Sequence, residues 1–203
     1  STGANYSTAG VFATNSVTAT TARLKMIGNI VVNLSTPNGT GIVSAYTRSA
    51  AGLNNFDLSS NYNLYYGGVA ATNRLIFYDG TNSNQTLSAY QTLALAENNS
   101  FSFLPNFLST ASASPTFVHI DPAVVTVLES GSIGLGLNDD IDGDIRALAA
   151  GYAGTGTAPD VGADEFIGIS PAPVIALASI VPAAVGQCTA ASRTVTATIT
   201  TLS

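Results

Sequence analysis

Short runs of β-branched and aromatic residues, each ended by Asn, Gly or Pro, constrain the fold of this chain more than any other feature. The clearest runs are residues 29–33, 63–67, 75–78 and 117–120. β-branched and aromatic side chains suit the pleated surface of a strand, whereas Asn, Gly and Pro favour the turns between strands. The pattern therefore predicts an all-β chain built from short strands.

One segment, residues 86–96, departs from this pattern and shows helical periodicity. It places on one stripe Leu87, Tyr90 and Leu93 or Ala94. Apolar residues at this spacing indicate an amphipathic helix. We therefore predict one helix at this position.

Two of the predicted strands share one pattern. Asn29 and Asn63 each precede three bulky apolar or aromatic residues, and they lie 34 residues apart. Repetition of one strand type favours a solenoid in which each coil stacks on the next. In such a stack the Asn side chains can form a hydrogen-bonded ladder, because an amide both donates and accepts. A sandwich of ordinary hairpins gives the same local pattern, so the residues alone leave both architectures open.

The composition excludes several classes of protein. Only 9% of the residues are charged and 46% are apolar, which excludes a charge-rich disordered chain and a coiled coil. The net charge of −6 and the absence of a basic stripe argue against nucleic-acid binding. The longest apolar stretch, 172–185, is shorter than a membrane span and contains two prolines, so no membrane span is predicted. Few Cys and Lys with many Thr and Asn predict a secreted bacterial cell-surface protein.

A change in composition near residue 168 predicts two units, 1–167 and 168–203. Two prolines hold the linker at its start extended, and the segments 174–180 and 193–200 read as strands. Two strands do not form an independent domain, so we expect them to pair with a sheet edge of the same chain or of a neighbouring copy. Pairing with a copy would make the protein a filament subunit. The single cysteine, Cys188, is read as a small core or surface residue.

An acid-rich segment, 138–165, holds seven carboxylates and one nearby cation, Arg146. Its start matches the first half of an EF-hand loop, with alternating oxygen ligands and Gly143 for the sharp turn, but Ala149 replaces the bidentate Glu. The favoured interpretation is that Arg146 forms a two-point pair with an acid while the other acids accept hydrogen bonds from backbone N–H groups in a capping loop. The alternative is a Ca²⁺ site, for which the candidate ligands are Asn138, Asp140, Asp142, Asp144 and Asp164.

The chain has one histidine, His119. A strand over 117–120 would place it on one face with Phe117 and Asp121, so Asp121 is the candidate to orient it as a general base. The other groups that could act in catalysis are scattered, with no spacing that links them: Lys25, Arg48, Asp57, Arg74, Asp79 and Asp121. We therefore predict a structural histidine and assign no catalytic residue.

The segments 138–146 and 159–166 resemble the closing coils of right-handed parallel β-helix domains from large secreted surface proteins of the Bacteroidetes type, including adhesin-like substrates of the type 9 secretion system. The family pattern is D-x-D-G-x-x-R followed by D-I-G-A-D-E-[FY]. It is matched by Asp140, Asp142, Gly143, Arg146, Asp160, Gly162, Ala163, Asp164, Glu165 and Phe166. The tail, 194–200, resembles the opening strands of the immunoglobulin-like module that often follows. The resemblance implies a right-handed parallel β-helix, a solenoid, with a short C-terminal β extension.

These observations predict a non-enzymatic, extracellular structural or adhesive module, with a filament subunit as one form of it. Its expected partners are copies of itself, other surface proteins or glycans. The alternatives are a calcium-dependent binding module and a carbohydrate-binding or polysaccharide-degrading fragment. An adhesin predicts apolar surface contacts without a deep polar cleft, whereas a glycan-active enzyme predicts carboxylates that converge in a groove.

Overall fold

The computed structural model describes residues 4–16, 23–133 and 136–171. Described residues up to Ser170 belong to one compact unit, Ser1–Ser170. The predicted strands at 174–180 and 193–200, the assembly role given to them, and Cys188 lie outside the described residues. The predicted boundary at residue 168 stays a prediction.

Six strands and one helix form in this part of the chain. They are β1 (Thr8–Ala13), β2 (Ile30–Val32), β3 (Val43–Arg48), β4 (Leu64–Tyr66), β5 (Arg74–Tyr78), β6 (Ser83–Asn84) and α1 (Leu87–Ala94). Four strands form one sheet in the order β1-β3-β5-β6, in which the first three are parallel and β6 is antiparallel to β5. A second sheet pairs β2 and β4 in parallel, with Ile30 opposite Leu64.

The prediction of an all-β, right-handed parallel β-helix is wrong. The described residues form a mixed α/β arrangement of a four-stranded, mostly parallel sheet, a two-stranded parallel sheet and one helix, with no solenoid. In the four-stranded sheet parallel pairing stops at β5, because β6 turns back against it and α1 follows. Beyond residue 101 the described chain forms only isolated bridges, so the segment of strongest family resemblance contains no strand.

Local sequence signals located four elements correctly. The predicted strands at 29–33, 63–67 and 75–78 correspond to β2, β4 and β5. The predicted helix corresponds to α1, where Thr86 accepts a hydrogen bond from the Ala89 N–H as the N-cap. The strand predicted at 117–120 is wrong, because Val118 has a positive φ of 56°, which interrupts an extended conformation.

Three strands, β1, β3 and β6, were not predicted from the sequence. Gly10 lies inside β1 and weakens the local strand signal, yet the structure uses its lack of a side chain. A Cβ at Gly10 would lie 2.7 Å from Val31 and 2.8 Å from the carbonyl oxygen of Ala45. The glycine therefore allows β1 to lie close to β2 of the second sheet as well as to its own neighbour β3.

An aromatic cluster forms the first core and lies between the sheets and α1. Tyr46, Tyr65, Phe77 and Tyr90 are fully buried. Phe77 stacks on Tyr90 with ring centroids 4.9 Å apart, and Tyr46 lies 5.4 Å from Phe77. Tyr90 and Ala94 form the buried face of the helix, as its periodicity predicted.

A second core joins the two-stranded sheet to the irregular second half of the unit. Leu64 of β4 is buried with four residues from that half, which are Ile120, Leu128, Val161 and Phe166. Burial of these side chains holds the loops around residues 120 and 161 against β2 and β4. No helix in the described residues is long and apolar enough to cross a membrane.

A cleft with a histidine and two aspartates

A cleft of about 1470 Å³ runs along β2. Its other walls come from residues 104–121, 137–146 and 161–164. The second core holds the first and third of these walls in place through Ile120 and Val161. Apolar side chains line much of it and remain largely exposed, at 41–71% of their surface: Leu34, Leu104, Phe117, Val118, Leu137 and Ile141. Exposed apolar side chains gathered around one concavity are typical of an interaction site.

His119 lies in this cleft between two carboxylates. Its Nε2 is 3.3 Å from Oδ2 of Asp142, and its Nδ1 is 3.8 Å from Oδ2 of Asp164. The side chains of His119, Asp142 and Asp164 are 22%, 48% and 15% exposed, so the group faces the cleft while Asp164 is the most enclosed member. We call these three residues the His–Asp group.

The His–Asp group is electrostatically unbalanced. Burial raises the pKa of Asp164, and the negative charges of Asp140 and Asp142 raise it further. His119 and the N–H of Ile120, which donates to Oδ2 of Asp164 at 3.3 Å, lower it in part. Two carboxylates beside one imidazole favour a positive charge in or next to the group.

Asp140 is not a member of the His–Asp group but organises the loop that carries Asp142. Its Oδ1 accepts hydrogen bonds from the N–H groups of Asp142 and Asp144, both at 2.8 Å, and its Oδ2 accepts one from the N–H of Glu165 at 2.8 Å. Burial alone would raise the pKa of Asp140, but these donors and the N–H of Gly143 together lower it. The Asp140 carboxylate therefore stabilises the conformation of this loop through its hydrogen bonds to backbone N–H groups.

Arg146 anchors the acid-rich segment from the inside. Its Nη1 lies 3.3 Å from Oε2 of Glu165, and its Nη2 donates to the carbonyl oxygens of Gly162 and Ala163 at 3.0 and 2.9 Å. The pair with Glu165 is a single-point contact, whereas the sequence suggested a two-point pair. Since these acceptors occupy its guanidinium, Arg146 does not neutralise the His–Asp group.

Asp160 completes this anchor. It is almost fully buried and accepts hydrogen bonds from the N–H groups of Ser130 and Phe166 at 2.6 and 2.8 Å. Burial raises its pKa to about 7, and the charges of Glu165 and Glu129 add to this rise. Three of the matched residues, Arg146, Asp160 and Glu165, therefore form a buried network that connects the loops.

The five predicted Ca²⁺ ligands do not converge. Asp142 and Asp164 come together, but Asp140 binds backbone N–H groups. Asn138 and Asp144 contribute carbonyl oxygens to the loop, which accept from the N–H groups of Arg146 and Asp140. The Ca²⁺ site stays a prediction, and the side chain that joins Asp142 and Asp164 belongs to His119, for which the sequence predicted a structural role.

His119 was not predicted as a partner of these acids because a strand was expected at 117–120. With that strand absent, Asp121 does not orient the imidazole but accepts a hydrogen bond from the Ala123 N–H at 3.0 Å. The sequence contained only an indirect signal that His119 would pair with these acids. The only histidine of the chain precedes a segment with seven acids and one cation, and imidazole is a side chain that readily pairs with carboxylates near neutral pH.

Three of the polar groups considered for catalysis serve local structure. Arg48 is buried and donates to the Tyr46 hydroxyl at 2.8 Å and to the carbonyl oxygen of Gly52 at 3.1 Å. Asp57 and Asp79 accept hydrogen bonds from backbone N–H groups of their own turns. None of these three residues lines the cleft.

The comparisons with family models, with curated proteins and with solved structures find no match for this chain. The cleft meets one expectation from each of two competing functions. Its apolar walls are the surface expected of an adhesin, although the aspartates that line it were not expected there. The convergence of Asp142 and Asp164 is the feature expected of a glycan-active enzyme.

Proposed function

We propose that this chain is a non-enzymatic, extracellular adhesive module that binds a glycan segment in the cleft along β2. The observation that carries the proposal is the cleft itself, which combines exposed apolar walls with one histidine and five aspartates. Ligand sites are typically concave and combine apolar surface with polar groups that orient the ligand.

The size and shape of the cleft favour an extended ligand. Its volume of about 1470 Å³ exceeds the roughly 300–1,000 Å³ of pockets that enclose small molecules. Phe107 and Phe117 line it and offer aromatic surface on which the apolar face of a sugar ring can pack. A short stretch of a polymer fits these properties better than a single small molecule.

The charge of the cleft favours a neutral or amine-bearing glycan. Aspartates line it at five positions, which are Asp121, Asp139, Asp140, Asp142 and Asp164. Arg146 also lines it, but Glu165 and backbone carbonyls occupy the guanidinium. With a net charge of −6 on the whole chain, acidic polysaccharides would be repelled.

Titration calorimetry with defined oligosaccharides tests the proposal. We expect binding of chitosan or cello-oligosaccharides and no binding of oligogalacturonate. Phe117→Ala should weaken binding, because it removes aromatic surface from the cleft. Phe12→Ala is the matched control, since Phe12 is exposed but lies outside the cleft. Equal loss in both variants, or no binding of any neutral or amine-bearing oligosaccharide, would contradict the proposal.

A specific observation favours one second candidate, a polysaccharide-degrading enzyme. The imidazole of His119 has Asp164 beside Nδ1 and could act as a general base that Asp164 orients. The same oligosaccharides, incubated with the protein and analysed for new reducing ends or unsaturated products, separate the two candidates. Product formation that His119→Gln abolishes would replace the adhesive proposal by the enzymatic one.

A further inference from the structure

We propose that His119, Asp142 and Asp164 bind one divalent transition-metal ion, with Zn²⁺ as the preferred ion. The site would lie in the wall of the cleft. The proposal is based on the geometry of these three side chains and does not depend on whether the cleft binds a glycan.

The spacing of the three side chains fits one ion. Each residue offers one ligand atom, and the three atoms all lie within 4.8 Å of one another. Nε2 of His119 and Oδ2 of Asp142 are 3.3 Å apart. Two ligands bound to tetrahedral Zn²⁺ at about 2.0 Å are separated by roughly the same distance. One ion binds one ring nitrogen, and Asp164 lies nearer Nδ1, at 3.8 Å, so the Asp164 side chain would rotate toward an ion bound at Nε2.

The types of ligand atom select the ion. Ca²⁺ prefers six to eight oxygen ligands, and an imidazole nitrogen does not serve it. Zn²⁺ binds imidazole nitrogen and carboxylate oxygen, and other imidazole-binding transition metals follow the same preference. Three protein ligands leave a fourth position of a tetrahedral ion, which at this site would face the cleft and be open to water or to a bound ligand.

The chain holds the three ligands in place from three separate segments. The N–H of Ile120, next to His119, donates to Asp164. The N–H of Ile141, next to Asp142, donates to the carbonyl oxygen of Ala163 at 3.0 Å. The residues next to His119 and Asp142 are thus hydrogen-bonded to the segment that carries Asp164. These bonds lower the entropic cost of ordering the site when the ion binds.

The charge of the group also favours a cation. The structure gives Asp142 and Asp164 an ion pair only with His119 within the described residues. A divalent ion would neutralise both carboxylates, and Arg146 cannot do so because its partners are Glu165 and backbone carbonyls. The imidazole binds the ion in its neutral form.

Titration calorimetry of the full chain with Zn²⁺, after treatment with a chelator, tests the proposal. All variants carry Cys188→Ser and no histidine tag, so that no other soft ligand contributes. We expect one Zn²⁺ per chain, and we expect Asp142→Asn to weaken binding by about tenfold or more, because it removes a charged ligand. Asp142 is half exposed and its only ion pair among the described residues is with His119, so this variant should fold.

Asp144→Asn is the matched control, since Asp144 lies in the same loop but outside the His–Asp group. It should bind Zn²⁺ like the parent chain. His119→Gln gives a second loss variant, and binding of Co²⁺ with a visible absorption band that this variant lacks would support the imidazole as a ligand. Equal Zn²⁺ affinity in Asp142→Asn and the parent would overturn the proposal. So would tighter binding of Ca²⁺ than of Zn²⁺ that Asp144→Asn abolishes, because that result belongs to the EF-hand-like site.

Discussion

At the scale of single residues, Asp140 determines the form of the acid-rich loop. Its two carboxylate oxygens accept three backbone hydrogen bonds, two from the loop itself and one from Glu165. Hydrogen bonds to a charged acceptor are stronger than those between neutral groups. Asp140 therefore connects the loop that carries Asp142 to the segment that carries Asp164, and its carboxylate pairs with backbone N–H groups rather than with His119.

We expect Asp140→Ala to lower the free energy of unfolding by roughly 2–3 kcal/mol, because three N–H groups lose a charged acceptor while water replaces part of it. Asp144→Ala should change it by less than about 0.5 kcal/mol, because the Asp144 side chain is exposed and its loop contact is through the carbonyl. Urea unfolding measures both values. Similar losses in the two variants would show that Asp140 does not organise the loop.

At the scale of elements, the start of the two-stranded sheet depends on two asparagines. The Asn63 side-chain oxygen accepts hydrogen bonds from the backbone and the side-chain N–H groups of Asn29, both at 2.9 Å. Its amide nitrogen donates to the carbonyl oxygen of Met26 and to Glu97, both at 2.9 Å. The two asparagines are thus hydrogen-bonded to each other as in the ladder suggested for a stack of coils, although the stack does not form and the bond joins only one pair of strands.

We expect Asn63→Ala to cost on the order of 3 kcal/mol of stability, because it removes a donor from the buried Glu97 and from the Met26 carbonyl. Asn29→Ala is the matched control at the equivalent position of the neighbouring strand. It should cost about 1 kcal/mol, since Asn29 is exposed and water can replace its contacts. Denaturant unfolding compares the two, and a larger loss for Asn29→Ala would contradict this account of the sheet.

At the scale of the whole molecule, burial changes the proton affinity of several acids. It raises the pKa of Asp160 to about 7 and raises the pKa of Glu97 and of Asp164. Each of these groups binds a proton more tightly in the folded chain than in the unfolded chain. The stability they provide is therefore complete below about pH 4 and is lost as the pH rises through the folded pKa.

We therefore expect the free energy of unfolding to fall between about pH 4 and pH 7. Asp160 contributes at most about 4 kcal/mol to this fall in the free energy of unfolding. Each tenfold difference in proton affinity between the folded and the unfolded chain corresponds to about 1.4 kcal/mol. Urea midpoints measured across this range give the slope. Asp160→Asn should reduce the slope and also lower stability at pH 5, because an amide cannot accept both N–H bonds in the same way. A free energy of unfolding that rises with pH in this range would contradict the assignment.

The sequence was informative at four elements whose structure depends on near neighbours. The strands β2, β4 and β5 and the helix α1 follow from runs of residues whose propensities agree with the observed conformation. The architecture was not predictable in this way, because identical short strands suit a stack of coils, a sandwich or two separate sheets. The repeated strands β2 and β4 pair in parallel, but after β4 the pairing continues only as an isolated bridge between Leu64 and Phe101.

The candidate site was likewise predictable only in those parts that depend on residues close together in the sequence. The sequence by itself determined that seven acids crowd into 138–165 around one cation, Arg146, and that this charge needs compensation, because like charges held close together repel. Only the tertiary structure decided that His119, rather than Asp140 or Asp144, would join Asp142 and Asp164. The physical reason is that the three residues lie on segments that are distant in the chain. Burial of Ile120 and Val161 in one core brings the segments of His119 and Asp164 together. Hydrogen bonds of Asp140 and Arg146 to residues 162–165 attach the loop of Asp142.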